Sequence, residues 1–138
     1  MALSSREIID TMMADDKMSQ WLGIEILDYT PGAVSLKMTV REEMVNGFKV
    51  THGGITYCLA DSALAFSANA HGIRSMSIET SISHLKKVTT GDVLTVQSKE
   101  LSLSRKIGVY EMDVFNQDNN IVAHFKGTVY RSGIEWEN

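Results

Sequence analysis

The sequence predicts an α+β domain in which a curled antiparallel sheet wraps around one long central helix. Three observations predict it. Residues 53–69 form one apolar stretch with start and stop signals for a helix of about 17 residues, which spans about 25 Å and fits along one face of a sheet. Segments with strand patterning flank it, and those after it are joined by connections that favour antiparallel pairing. A chain of 138 residues, 43% hydrophobic and 22% charged, has the size and composition of one ordinary core.

Taken in order, Ser4 and Glu7 have capping-box spacing, and Ile8, Ile9, Met12 and Met13 recur at helical spacing, so a short amphipathic helix opens the chain. Gly23 follows Trp21 and Leu22, then Ile24 to Leu27 reads as a strand that ends near the turn Thr30-Pro31-Gly32. Val34, Leu36, Met38 and Val40 alternate on one face of a second strand over 33–40. Residues 41–54 read as a loop with Asn46-Gly47 as its turn. The long helix runs from Gly53 to Asn69 and is closed by His71-Gly72, with Gly72 suited to a left-handed cap. Strands are expected over 75–85, 93–103, 107–115 and 120–131, separated by Thr90-Gly91-Asp92, by a short link before Ile107, and by the hairpin-like run Asn116 to Asn119. No boundary or repeat divides the chain, so residues 1–138 are expected to form one domain. Its long strand edges favour pairing with a second copy.

Composition excludes several function classes. The formal net charge is −4 and no basic run exceeds two residues, which argues against nucleic acid as partner. Cys58 is the only cysteine, so neither an intrachain disulfide nor a thiolate-rich metal cluster can form; it reads as a small hydrophobe of the helix. No apolar signal core opens the chain and no stretch approaches the ~18 apolar residues of a membrane span, so no membrane association and a cytoplasmic address are expected. His71, His84 and His124 lack metal-ligand spacing and read as cap, turn or sheet residues, and no metal is expected.

The functional question lies in the helix. After His52, the pair Gly53-Gly54 allows close backbone approach, and the first helical turn offers amide donors without intrahelical partners. Such donors, aided by the helix dipole, can hold an oxygen that develops negative charge. Asp61 follows in the run ITYCLADSALAF, with no Lys or Arg three or four residues away. A carboxylate there is exposed, hydrogen-bonded, paired from elsewhere in the fold or assembly, or kept for chemistry at a cost in stability. His52 either caps and packs the loop or serves the chemistry.

These residues carry a resemblance. Asn46-Gly47, His52-Gly53-Gly54 and Leu59-Ala60-Asp61, followed by the Gly91-Asp92 turn, resemble the hotdog-fold acyl-CoA thioesterases, in particular the phenylacetic-acid-degradation branch, over about residues 12–131. The resemblance implies a hotdog fold and hydrolysis of aryl-acetyl or medium-chain acyl-CoA thioesters to free acid and coenzyme A. It makes Gly53 the N–H donor to the carbonyl oxygen and Asp61 the nucleophile or general base. It likewise implies that Asn46 positions the attacking group or the carboxylate across the subunit interface, that His52 holds the loop and the substrate carbonyl region, and that Ser77 orients water. It further implies a homodimer with sites at the subunit interface, pairing again into a tetramer, with no cofactor beyond the coenzyme A of the substrate. Lys86, Lys87, Arg105, Lys106 and Lys126 are the candidates for its phosphates. Two rival functions stay open: an acyl-CoA-sensing module without turnover, and a hotdog dehydratase or hydratase using a histidine and an acid.

Overall fold

The structure, a computed structural model, describes residues 2–137. The Ser4 capping box forms as expected and starts α1 (Ser5–Asp15). A second helix follows at once, α2 (Lys17–Leu22), where no helix is expected from the sequence. Asp16 makes it: its side chain accepts the Ser19 N–H at 2.9 Å, and Gly23 closes the helix in the left-handed region at φ 73°.

Strands β1 (Glu25–Asp28) and β2 (Ser35–Thr39) precede a short 3₁₀ turn at Glu42–Met44 and the long helix α3 (Gly53–Asn69), whose bounds are those expected. Then come β3 (Ile73–His84), β4 (Val93–Gln97), β5 (Lys99–Leu103), β6 (Ile107–Phe115) and β7 (Ile121–Glu135). The expected strand over 93–103 is therefore two. Both pair with β6, through Thr95↔Phe115 in β4 and Lys99↔Glu111 in β5. Between them the buried Ser98 turns its N–H to Val34 O at 3.1 Å, where the strand parts from β2.

The result is an antiparallel seven-stranded sheet in the order β1-β2-β4-β6-β7-β3, with β5 also on β6. It curls around α3, giving the hotdog architecture that the resemblance implies. Leu59, Ala63, Leu64 and Phe66 of α3 meet Leu36, Met38, Leu94, Tyr110, Met112 and Phe125 of the sheet in one core. Close contact needs a gap in the sheet, supplied by Gly127, where a Cβ would stand 2.5 Å from Leu64 Cδ2. Tyr57 packs edge-on against Phe125 and pairs its hydroxyl with Thr80.

Asn69 locks the far end of α3. Its side-chain N–H groups donate to Ala65 O (2.8 Å) and Ser75 O (3.0 Å), and its Oδ1 accepts from Ser75 N–H and Trp136 Nε1–H, both at 2.9 Å. One buried side chain thus joins helix, β3 and the C-terminal segment. Replacing Asn69 by Ala leaves these groups unpaired, and we expect a loss of about 2–3 kcal/mol. Urea unfolding of the Asn69→Ala variant checks this through a lowered midpoint at unchanged slope.

Candidate active site

The start of α3 is shaped by its own loop. His52 is the N-cap: its Nδ1 accepts the Gly54 N–H at 2.9 Å, and its backbone N–H donates to Met44 O at 2.8 Å. Thr51 N–H donates to Val88 O at 2.8 Å. With Gly54 N–H taken by the cap, Gly53 N–H is left without an acceptor among the described residues. It opens on a cleft of about 520 Å³ lined by Asn46, Thr51, Gly53, His84, Lys86 and Lys87. The Thr51 hydroxyl is buried and also lacks a partner. A backbone donor at a helix start, an orphan hydroxyl and two lysines suit a polar, partly anionic ligand.

Asn46 stands in the same wall. Its Oδ1 accepts the N–H groups of Phe48 (2.9 Å) and Val50 (3.4 Å), so it builds the loop whose tip exposes Phe48. No hydrogen bond from its side-chain NH₂ to the described residues is found, which leaves that group available to a ligand or a second copy.

Asp61 lies elsewhere. α3 is buried on most sides, and Tyr57, Cys58, Asp61 and Ala65 share its half-exposed stripe. Among the described residues Asp61 makes no hydrogen bond and no ion pair, so two of the four explanations for a carboxylate here, full exposure and hydrogen bonding within the chain, do not hold. It lines a cavity of about 230 Å³ with Met12, Asn69, Ser75, Met76 and Ser77. Burial pushes its pKa up, and the nearby Asp16 charge adds to this. Asp16 is fixed there by capping α2. The Cys58 thiol is pushed up by its own burial and by Asp61 and Asp16, which favours the protonated form over the thiolate and fits its reading as a small hydrophobe of the helix.

The structure thus brings Asn46, Gly53, Lys86 and Lys87 together in one cleft and Asp61 with Ser77 in another. Gly53 and Asp61 are eight residues apart on one helix, about 12 Å along its axis. Reacting atoms must approach to about 3–3.5 Å, so the two residues of one chain do not meet at a single reacting centre. The remaining basic candidates are dispersed. Lys126 is exposed on β7 opposite Glu111, and Arg105 and Lys106 sit before Ile107, at the opposite end of the sheet from His84. Seven β7 residues, more than about 20 Å, separate the positions paired with Ile107 and His84.

Thr51 and His84 of the cleft are not assigned to the site by the sequence: Thr51 is not singled out, and His84, which reads as a cap, turn or sheet residue, ends β3 beside Gly53. Nothing local marks His84, since it lies 31 positions after Gly53 and only the sheet brings the two together.

Comparison with known proteins places this geometry. Residues 48–123 match the family model of the thioesterase superfamily, a span that includes the α3 start, Asp61 and Ser77. The chain belongs to the thioesterase superfamily. The acyl-coenzyme A thioesterase PaaI of Escherichia coli is 33% identical over 122 residues, 88% of this chain and 87% of that one. A relative from Archaeoglobus fulgidus is 39% identical over 122 residues, 88% of this chain and 79% of that one. The solved structure of E. coli PaaI, from the phenylacetic acid degradation operon, superposes with a TM-score of 0.91 at 30% identity, covering 95% of each chain. Fold and thioester hydrolysis, both implied by the resemblance, agree with these matches.

The raised pKa of Asp61 in this thioesterase-superfamily chain has a sign that can be tested. An elevated carboxylate pKa means that the folded chain disfavours the ionised form, so folding stability falls as pH rises from the ordinary value of 3.8 through the raised one. Asp61→Asn removes that penalty. We expect the variant to melt at a higher temperature than the wild type at pH 7, with the difference shrinking below pH ~4, as read by calorimetry at both values.

Proposed function

We propose that the chain hydrolyses acyl-CoA thioesters, with aryl-acetyl or medium-chain acyl groups as substrates, at sites shared between two subunits. One observation carries the reading: the Gly53 N–H and the Asp61 carboxylate, both without partners among the described residues, stand about 12 Å apart on a single helix, which supports a site completed by a second copy. The thioester carbonyl oxygen sits on the Gly53 N–H of one subunit. Asp61 of the other either attacks the carbonyl carbon or takes a proton from the water that does, and either role needs the ionised carboxylate. The C–S bond then breaks, and the thiolate leaves as coenzyme A once protonated. A thiolate is a good enough leaving group that orientation and charge stabilisation supply most of the catalysis.

The dimer itself finds support in the edge of the sheet. β3 is 12 residues long, is paired on one side only, and exposes Met76, Ile78 and the following Leu85. Such an edge favours addition of a partner strand. Ser77 lies on it beside Asp61, in position to hold the attacking water, and Asn46 offers its free NH₂ to the carboxylate of the partner. Lys86 and Lys87 receive the phosphates. Two such dimers pairing into a tetramer, working in the cytoplasm without a metal, complete the proposal. No helix among the described residues is long and apolar enough to cross a membrane.

Thiol release from a panel of acyl-CoA thioesters tests this. We expect turnover of at least one aryl-acetyl or medium-chain thioester and a loss of about 10²-fold or more in Asp61→Asn. Activity should fall as pH drops through the raised pKa of Asp61, and Asp16→Asn, which removes the neighbouring like charge, should carry that acid limb to lower pH. Retained turnover in folded Asp61→Asn would remove the carboxylate from its role. Saturable acyl-CoA binding without hydrolysis would favour a sensor.

A further inference from the structure

We propose that His84 supplies a second hydrogen-bond donor to the carbonyl oxygen of the bound thioester, beside the Gly53 N–H. The inference rests on the reading that this oxygen sits at the start of α3. It begins from an approach that only glycine permits. A Cβ on Gly53 would stand 3.0 Å from His84 Nε2, 3.2 Å from Cε1 and 3.7 Å from Cδ2. The nearest atom is the nitrogen and its two ring neighbours come next, so the imidazole points its Nε2 tip at Gly53. The side chain at position 53 is absent where the ring arrives.

Two further observations separate His84 from an ordinary sheet histidine. His71 pairs with Glu100 at 2.6 Å and His124 with Asp113 at 2.7 Å, whereas neither ring nitrogen of His84 has a hydrogen-bond partner among the described residues. Its backbone is nonetheless held: His84 pairs with Ala123 in the sheet, and Leu85 N–H donates to Val122 O at 2.8 Å. A fixed backbone carries a ring with no hydrogen-bond partner among the described residues, and its Nε2 tip arrives at the residue whose N–H is likewise without an acceptor among them. The hydroxyl of Thr51 lines the same cleft, a third polar group without a hydrogen-bond partner among the described residues. Several donors lining one cleft are what a carbonyl oxygen gaining charge can use. The ring is also exposed, so the fold does not need it for its core.

The test uses two substitutions and two ligands. His84→Phe keeps a ring over Gly53 without the donor, and His84→Gln keeps an N–H near the Nε2 position without the ring. The ligands are an acyl-CoA ketone analogue, in which CH₂ replaces sulfur and the carbonyl remains, and the matching thioether, which lacks the carbonyl. We expect the wild type and His84→Gln to bind the ketone more tightly than the thioether. His84→Phe should lose most of that difference and lose kcat/KM by at least about tenfold, because the donor holds the carbonyl oxygen both in the bound ground state and as it gains charge. A packing role predicts the reverse, with His84→Phe like the wild type and His84→Gln impaired. That outcome overturns the proposal, as does an unchanged ketone-to-thioether ratio in both folded variants. If the wild type binds both analogues but hydrolyses no thioester, the hydrolytic reading fails while the ratio still decides on His84. If it binds neither, both fall.

Discussion

The rise of an α-helix, 1.5 Å per residue, is the constraint on which the rest depends. It fixes Gly53 and Asp61 two turns apart on α3, with one half-exposed stripe running between them. No side-chain rotation closes that gap, because an aspartate reaches only a few ångströms from its backbone. If Gly53 donates to the carbonyl oxygen and Asp61 is the base, as proposed, chemistry on a single carbonyl needs two helices.

The fold holds both points rigidly. Leu64 seated at Gly127 and the Tyr57 contacts with Phe125 and Thr80 press α3 to the sheet along its length. Asn69 pins its end to β3 and Trp136. At its start, the bonds from Thr51 and His52 to Val88 and Met44 set where the Gly53 amide points. Stability is spent at Asp61, where burial and Asp16 both oppose its charge. A chain selected for stability alone would carry Asn or Ala there. The same opposition raises the proton affinity of the carboxylate, which suits a base.

Much of this was legible in the sequence, for reasons that can be named. The start of α3 follows from the His52 cap before Gly53, a local requirement; at the other end the expected glycine cap is not the one used, since Ala70 is the C-cap in the right-handed region and Gly72, at φ 101°, turns the chain two residues later. The absence of a partner for Asp61 on its own helix was legible from spacing alone. What was lost depends on contacts remote in sequence. α2 is six residues long and rests on the single cap at Asp16. The break at Ser98 is invisible to alternation, since β4 and the start of β5 keep one register on β6 across it and the bond to Val34 marks it. His84 looked like any strand residue until the sheet set it against Gly53. Of five basic candidates, charge alone could not tell Lys86 and Lys87, which line the cleft, from Arg105, Lys106 and Lys126, which in the same chain do not.

The most direct measurement is subunit complementation. Asp61→Asn and Gly53→Val chains, each inactive as a pure assembly, are unfolded together, refolded as a mixture and assayed for thioester hydrolysis. A site built from two copies predicts recovery to about a quarter of wild-type activity in an equal mixture, because half of randomly paired dimers are mixed and each of those holds one intact site. If the mixture stays as inactive as its parts while mixed dimers demonstrably form, the donor and the base belong to the same chain and the account is wrong.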